Sequence, residues 1–392
     1  MSFFKNLFSQ NNTSNKERTI ADVITDVIDF CNKDFVSNSP IFVCDTLDSK
    51  LVEFTNNENS VVFSPFSLLS ALSLLLVGLT DDTLKQVLTN LKIENKLKLF
   101  ENLLELSKQI KHNVSVSNVI ITKKEVEVFN EYLETVKKLG DHLYFDEKDY
   151  KTIPDKVNEI VSERTNGMIK NILNQDDINE DTFLVLVNTI YFKSDWSKQF
   201  KTYDTCPKKF NRKQLDKSSF VDMMMIHDEI FGYYETDKYQ VASLPYLNDF
   251  TFLLLVPKDL NEEIPTFDVD ILRKLQNESL HVELPKFEHE VELDLIPFFK
   301  SIGITQMFEY MEADDMINRH DDQKITLIKQ KCKIVVNEQG TEASAATAIG
   351  GMVLQCAKIG GSKIYNIIAD RPFRYQIVNK SNGVILFSGT YR

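Results

Sequence analysis

This sequence has no apolar run as long as the about 18 residues that a membrane-crossing helix needs. Its opening, MSFFKNLFSQNN, holds a short apolar patch broken by Lys5 and Asn6, and no leader-like apolar core follows. The expectation is a leaderless soluble chain, cytoplasmic, with leaderless export as the alternative. Cysteine is sparse: Cys31, Cys44, Cys206, Cys332 and Cys356 make an odd set with no CxxC pair. That excludes a disulfide framework and a structural zinc site and points to reduced thiols. Glycine (12) and proline (10) are scarce, which excludes a fibrous or disordered chain. Positive charge is short too: 45 Lys and Arg face 58 Asp and Glu, a net charge of −13. Such a chain repels polyanions, so nucleic acid and heparin are disfavoured as partners.

Catalytic signatures are missing as well. Gly350–Gly351 and Gly360–Gly361 lack a GxxxxGK[ST] or GxGxxG frame, and no GxSxG elbow occurs. The histidines His112, His142, His227, His281, His289 and His320 lie in separate segments, with His281 and His289 read as surface residues. Asp314–Asp315 and Asp321–Asp322 read as solvated acidic turns. The chain is therefore expected to be no enzyme and to use no metal or cofactor.

What is present is apolar mass, 43% of residues with 27 Phe, enough for one large core or two ordinary ones. Residues 1–38 read as an N-terminal extension in which Ile20, Val23, Ile24, Val27 and Ile28 form a helical stripe. That stripe docks on the body or, alternatively, serves a membrane surface or partner. Residues 39–392 read as one domain. From 40 to about 112 the pattern is helical: Val43, Leu47, Leu51 and Phe54 share a face, and Ser64 to Leu79 is apolar enough to be buried all round. Asp81, Asp82 and Thr83 open a further helix. Residues 114–122 alternate as a strand, a helix follows near 150–173, and Phe183 to Phe192 is a continuous apolar strand of a central sheet.

After residue 218 strands dominate, at Phe231–Tyr234, Gln240–Pro245, Phe250–Val256, His281–Phe287 and Lys331–Asn337. A helix interrupts them from about Leu293 to Ile302, and Tyr375–Val378 with Val384–Ser388 form a hairpin on Asn382–Gly383. Lys329, Lys331 and Lys333 read as one solvated strand face. Helices early and strands late indicate an α+β domain. Between Asn337 and Pro372 lies a long stretch of small, weakly hydrophobic residues, a length that usually signals a functional loop. Thr341 to Ala348 alternates small and polar residues, and taken alone it fits a short Ala-rich helix as well as a loop.

Several segments, in order, resemble the serpin superfamily, leaderless ovalbumin-like type. They are NSVVFSPFS from Asn59, DTFLVLVNTIYFKSDW from Asp181, Leu244-Pro245-Tyr246, Glu283-Leu284-Pro285-Lys286-Phe287, VVNEQGTEA from Val335, and Ala369-Asp370-Arg371-Pro372-Phe373. They cover roughly residues 40–392. The resemblance implies a serpin fold of three β-sheets and about nine helices, with an exposed reactive-centre loop near 338–365. It implies a monomer that inhibits a serine protease as a suicide substrate: the cleaved loop enters the large sheet as a strand and holds the acyl-enzyme. Alternatives are a non-inhibitory binding or chaperone-like member, or cross-class inhibition of papain-like cysteine proteases.

By the same resemblance Glu338, Gly340, Thr341, Glu342, Ala343, Ser344, Ala345, Ala346 and Thr347 form the hinge. Trp196 and Lys286 form the breach with Glu338, and Ser64, Ser67, Asn188 and Gln330 form the shutter, Gln330 replacing the family's usual His. Family spacing places the scissile bond at Leu354–Gln355, with Lys358 and Met352 as alternatives to Leu354. An apolar Leu354 suits a chymotrypsin-, elastase- or cathepsin G-like pocket. The hinge itself is free of Pro, and Thr341, Ala343, Ala345 and Thr347, which would point one way in a strand, are all small.

Overall fold

The computed structural model describes residues 38–55, 59–146, 148–212, 219–260, 263–267, 270–318, 321–341 and 363–392. Four helices lead: α1 (Pro40–Phe54), α2 (Pro65–Gly78), α3 (Asp81–Leu91) and α4 (Lys96–Ile110). Four shorter ones are spread later: α5 (Asn130–Val136), α6 (Ile153–Arg164), α7 (Ile271–Lys274) and α8 (Ile296–Ser301). Helix α2 is the hub. Pro65 fits its first turn, and the Ser64 hydroxyl caps it by accepting from the Ser67 N–H at 3.1 Å. All of its 14 residues are buried, as its unbroken apolar sequence predicts. Each Leu buried there contributes roughly 1.5–3 kcal/mol. Ser67, Ser70 and Ser73 interrupt that surface at a spacing of three, which puts them on one face.

One sheet has seven strands: β2 (Val114–Lys123), β3 (Asp141–Phe145), β4 (Leu184–Phe192), β5 (Ser194–Asp195), β11 (Phe287–Asp294), β12 (Ile325–Val336) and β13 (Gly340–Thr341). Along it β3, β2, β4, β12, β13 and β5 follow in order, and β11 lines β12. Strand β4 is buried on both faces. Leu184, Leu186 and Ile190 join the main core with α2, while Val185 and Val187 join a second core with Val157 and Val161 of α6. This double burial is why its sequence is a continuous apolar run.

The other sheet has nine strands: β1 (Val61–Phe63), β6 (Cys206–Phe210), β7 (Ser219–Glu235), β8 (Tyr239–Pro245), β9 (Phe250–Pro257), β10 (Gln276–Pro285), β14 (Ile364–Ile368), β15 (Phe373–Asn379) and β16 (Ile385–Tyr391). The long β7 pairs with β6 and β10 and then with β8, so hydrogen bonding runs on where separate sheets were expected. The β15–β16 hairpin turns at Gly383, whose φ of 78° suits glycine.

Some sequence expectations shift. The helix expected to 173 stops at Arg164, because Asn166 and Gly167 take left-handed φ of 51° and 77°. Strand β11 runs to Asp294, so α8 begins at Ile296 rather than Leu293. Phe54 does not share the burial of Val43, Leu47 and Leu51; it is 40% exposed and meets Phe298 edge-on. The lysine face of β12 is not simply solvated. Lys333 and Lys331 pair across the sheet with Glu288 (2.7 Å) and Glu290 (3.0 Å) of β11. Lys329 is buried between Asp177 (2.7 Å) and Glu292 (2.8 Å), and these partners hold its ammonium above its ordinary pKa against the opposing effect of burial.

Candidate functional site

Two polar clusters sit where β4 and β12 meet. In the lower one, Gln330 of β12 lies directly beside Asn188 of β4 in the parallel ladder. Its Oε1 accepts from the Ser64 N–H at 3.0 Å, and its Nε2 donates to the Ser64 carbonyl (3.0 Å) and to Asn188 Oδ1 (2.7 Å), with Ser67 Oγ at 3.2 Å. The Ser67 hydroxyl also donates to Asn188 Oδ1 at 2.9 Å. All four residues are at most 1% exposed. Water cannot replace any of these bonds, so an orphaned group there costs about 1–3 kcal/mol.

The structure adds two members that the sequence did not single out. Asn188 Nδ2 donates to Asn118 Oδ1 on β2 (2.8 Å), and Asn118 Nδ2 donates to Ser70 Oγ on α2 (3.0 Å). The network thus crosses β12, β4 and β2 and is anchored twice on α2. Asn118, which follows Ser117 and so breaks the apolar–polar alternation that opens β2, was the available signal.

The upper cluster forms around the end of β12. Strand β13 pairs on one side with β12, Thr341 beside Val336, and on the other with β5, Gly340 beside Asp195. The Trp196 indole donates to the Asn337 carbonyl at 2.9 Å, and its own N–H donates to the Gln339 carbonyl at 2.8 Å. Trp196 stacks on Tyr246 at 4.5 Å between centroids and is 2% exposed. The Tyr246 and Thr341 hydroxyls share a buried hydrogen bond of 2.5 Å. Glu338 accepts from Lys286 Nζ at 3.0 Å and from the Thr205 hydroxyl at 3.0 Å. Burial works against its charge, but a backbone N–H, Lys286 and Thr205 outweigh it and hold the carboxyl below its ordinary pKa. Trp196, Lys286 and Glu338 are therefore brought together, and Tyr246 and Thr205 join them.

Gly340 is required by space. A Cβ there would stand 2.2 Å from the Ser194 carbonyl oxygen and 2.7 Å from Asp195 Cα, both backbone atoms. Gly340→Ala is expected to unseat β13, with the Thr341–Tyr246 and Trp196–Gln339 bonds lost together. The measurements are Trp196 fluorescence, Trp196 being the chain's single tryptophan, and amide exchange of Thr341; an unchanged spectrum with Thr341 still protected would contradict the expectation.

Of the other expected site residues, Glu342, Ala343, Ser344, Ala345, Ala346, Thr347, Met352, Leu354, Gln355 and Lys358 lie outside the described residues, as does the extension over 1–37. The two histidines expected at the surface are half-buried. The His289 ring lies between Phe287 (5.0 Å) and Tyr391 (5.2 Å), and burial lowers its pKa to about 4. Among the described residues no group of three or more metal-ligating side chains is gathered, and Cys44, Cys206 and Cys332 are free thiols.

Comparison with known proteins agrees with this geometry. The model of a family described as serpin (serine protease inhibitor) matches residues 46–392. A serpin-like protein of Acanthamoeba polyphaga mimivirus is 29% identical over 371 residues, 88% of this chain and 90% of that one. Leukocyte elastase inhibitor A of Mus musculus is 30% identical over 366 residues, 86% of this chain and 94% of that one. Among solved structures, native protease nexin-1 with heparin superimposes with a TM-score of 0.79 at 24% identity, covering 91% of this chain and 98% of that one.

Proposed function

The chain belongs to the serpin family, and from that premise we propose that it inhibits a chymotrypsin- or elastase-like serine protease as a suicide substrate cleaved between Leu354 and Gln355. The observation that carries this reading is β13. Gly340 and Thr341 already form a short strand between β12 and β5, at the head of the seam an inserting loop would enter.

An inserted loop would continue the register of that strand downward. Thr341 stands beside Val336 in an antiparallel pair. Stepping on one residue at a time would put Ala343 beside Ile334, Ala345 beside Cys332 and Thr347 beside Gln330. Ile334, Cys332 and Gln330 are all buried, so only small side chains fit opposite them. The sequence supplies Ala, Ala and Thr at those places. The same stepping brings Met352 beside Ile325, the foot of β12. Residues 341–352 would fill the seam, leaving Val353 and Leu354 as a tether to the trapped enzyme. Cleavage after Lys358 would leave a slack tether, and cleavage after Met352 would leave none.

For insertion, the β4–β12 ladder from Ile325–Leu184 to Cys332–Ile190 must part, with the Gln330–Asn188 bond inside it. The new strand bonds to both sides, so the sheet ends with more hydrogen bonds than it began with. The protease's serine oxygen bonds to the Leu354 carbonyl carbon, the Leu354–Gln355 bond breaks, and the new amino group of Gln355 takes the proton and leaves with the C-terminal fragment.

The test is to mix the full chain with chymotrypsin, elastase, trypsin and cathepsin L and run denaturing gels. The expected result is a complex with chymotrypsin or elastase that survives denaturation, and a released peptide whose mass begins at Gln355. A peptide beginning at Ile359 would move the bond to Lys358. Simple cleavage by every enzyme, without a complex, would overturn the inhibitory reading.

A further inference from the structure

We propose that His227 and His281 form a chelating pair for a first-row divalent ion of the Cu(II) or Ni(II) type, bridging β7 and β10 and oriented by Glu283. The pair arises from a break in strand register. Where β7 and β10 run antiparallel, the pairing shifts between Leu280 and Val282, so that His227 and Asp228 together oppose His281. Asp228 absorbs the extra residue with a φ of 56°. Bulges of this kind re-aim side chains and occur often beside functional sites.

The result is a close approach of two imidazoles. Their Nδ1 atoms are 2.9 Å apart, and the rings are inclined by only 25°. Two nitrogens bound cis to one ion, each at about 2.0–2.1 Å, also stand about 2.9 Å apart, whereas a tetrahedral angle would need about 3.4 Å. The separation therefore fits tetragonal or octahedral ions, and Cu(II) and Ni(II) also lead the divalent affinity order.

The second observation is the support behind the pair. His281 Nε2 lies 3.1 Å from Glu283 Oε1, and Lys208 Nζ fixes the same oxygen at 2.7 Å. Glu283 is 7% exposed, and its carboxylate is ion-paired with Lys208. An ionised carboxylate only accepts, so Nε2 of His281 carries its proton and Nδ1 presents a lone pair. A ligating histidine whose other nitrogen donates to a carboxylate is the usual arrangement around protein-bound metals. His227 is exposed, so an ion has a way in. On binding, only the proton shared at the Nδ1–Nδ1 contact must move, and His227 can carry it on its Nε2 instead. With two protein ligands, water completes the coordination.

The ion would tie together strands next to the loop's far end. Strand β14, which begins at Ile364 just after the described chain resumes, pairs with β10, and Asn366 stands beside His281. The test is to titrate the full chain with Cu(II) followed by electron paramagnetic resonance, and with Ni(II) by calorimetry. One site is expected, with a two-nitrogen superhyperfine pattern. His227→Ala and His281→Ala should each weaken it at least tenfold, and Glu283→Gln by about tenfold. His112→Ala, a control, should leave it unchanged. His227 is exposed, so its variant will fold, which apo thermal melts will verify. Equal binding by wild type and the His227→Ala/His281→Ala protein, or none by wild type, would overturn the proposal.

Discussion

Ala345→Glu is expected to turn the protein from an inhibitor into a substrate, while Ala346→Glu, one residue on, leaves inhibition within roughly threefold of the original. The contrast follows from strand alternation. In a strand inserted in the register of Thr341 and Val336, residue 345 would fall beside Cys332, which is 1% exposed and part of the main core. A glutamate arriving there would bury an unpaired carboxylate or take up a proton first, at several kcal/mol either way. Under the proposed mechanism, inhibition is a race between insertion and hydrolysis of the acyl-enzyme. Slowing insertion by about 3 kcal/mol shifts that race more than a hundredfold. In the same inserted strand residue 346 would fall beside Lys331, on the polar face where Lys329, Lys331 and Lys333 already pair with Asp177, Glu288, Glu290 and Glu292. A carboxylate there would stay outside the apolar core and could share Lys331. The readout is the number of inhibitor molecules consumed per protease inactivated. A similar rise for both variants would mean that the register is wrong; no rise for either would mean that the loop does not insert.

How far the sequence reveals this machinery depends on what sets each residue. Ser64, Ser67, Asn188 and Gln330, expected as a shutter from ordered family motifs, are hydrogen-bonded to one another in the structure. Asn118 and Ser70 escaped notice because β2 and α2 carry other polar residues, Ser115, Ser117 and Thr122 in one and Ser67 and Ser73 in the other, and only three-dimensional neighbourhood shows which of them complete a network. At the hinge, local pattern left helix and loop open, since alanine serves both. What fixes Gly340 and Thr341 as strand is the slot between β12 and β5, a tertiary constraint. The sequence pattern likewise marked only Phe231–Tyr234 of the long β7. Asp222, His227, Asp228 and Glu229 break its apolar alternation, because one face is open to solvent and the bulge shifts the phase. The charged face of β12 looked solvated because its glutamate partners come from another strand, where sequence spacing carries no information.

Gln330→Ala is expected to lower stability by about 2–4 kcal/mol, the sum of one orphaned backbone N–H and a small cavity. Removing the amide takes the acceptor from the buried Ser64 N–H at the start of α2, while the Ser64 carbonyl keeps its bond from the Leu68 N–H at 3.1 Å. At roughly 2 °C per kcal/mol for a chain of this size, the melting temperature should fall by about 4–8 °C. The seam between β4 and β12 loosens at the same point, so the variant should also form inserted or linked species faster on mild warming, seen as a ladder on native gels. Gln330→His provides the control for chemistry rather than size. A neutral imidazole supplies one acceptor and one donor, enough for Ser64 N–H and one of its other neighbours. Protonation turns the acceptor into a donor facing an N–H, and burial disfavours the charge as well. The folded-state pKa of that histidine should therefore lie below its unfolded value of about 6.5. Its contribution is then complete above that pH and is lost as the pH falls through it towards the depressed folded value. The glutamine does not titrate, so the wild-type seam has no such term. Melting temperatures of the two proteins from pH 8 to pH 5 decide the matter. The difference between them should widen on acidification; curves that stay parallel would show that residue 330 does not face the Ser64 N–H in solution.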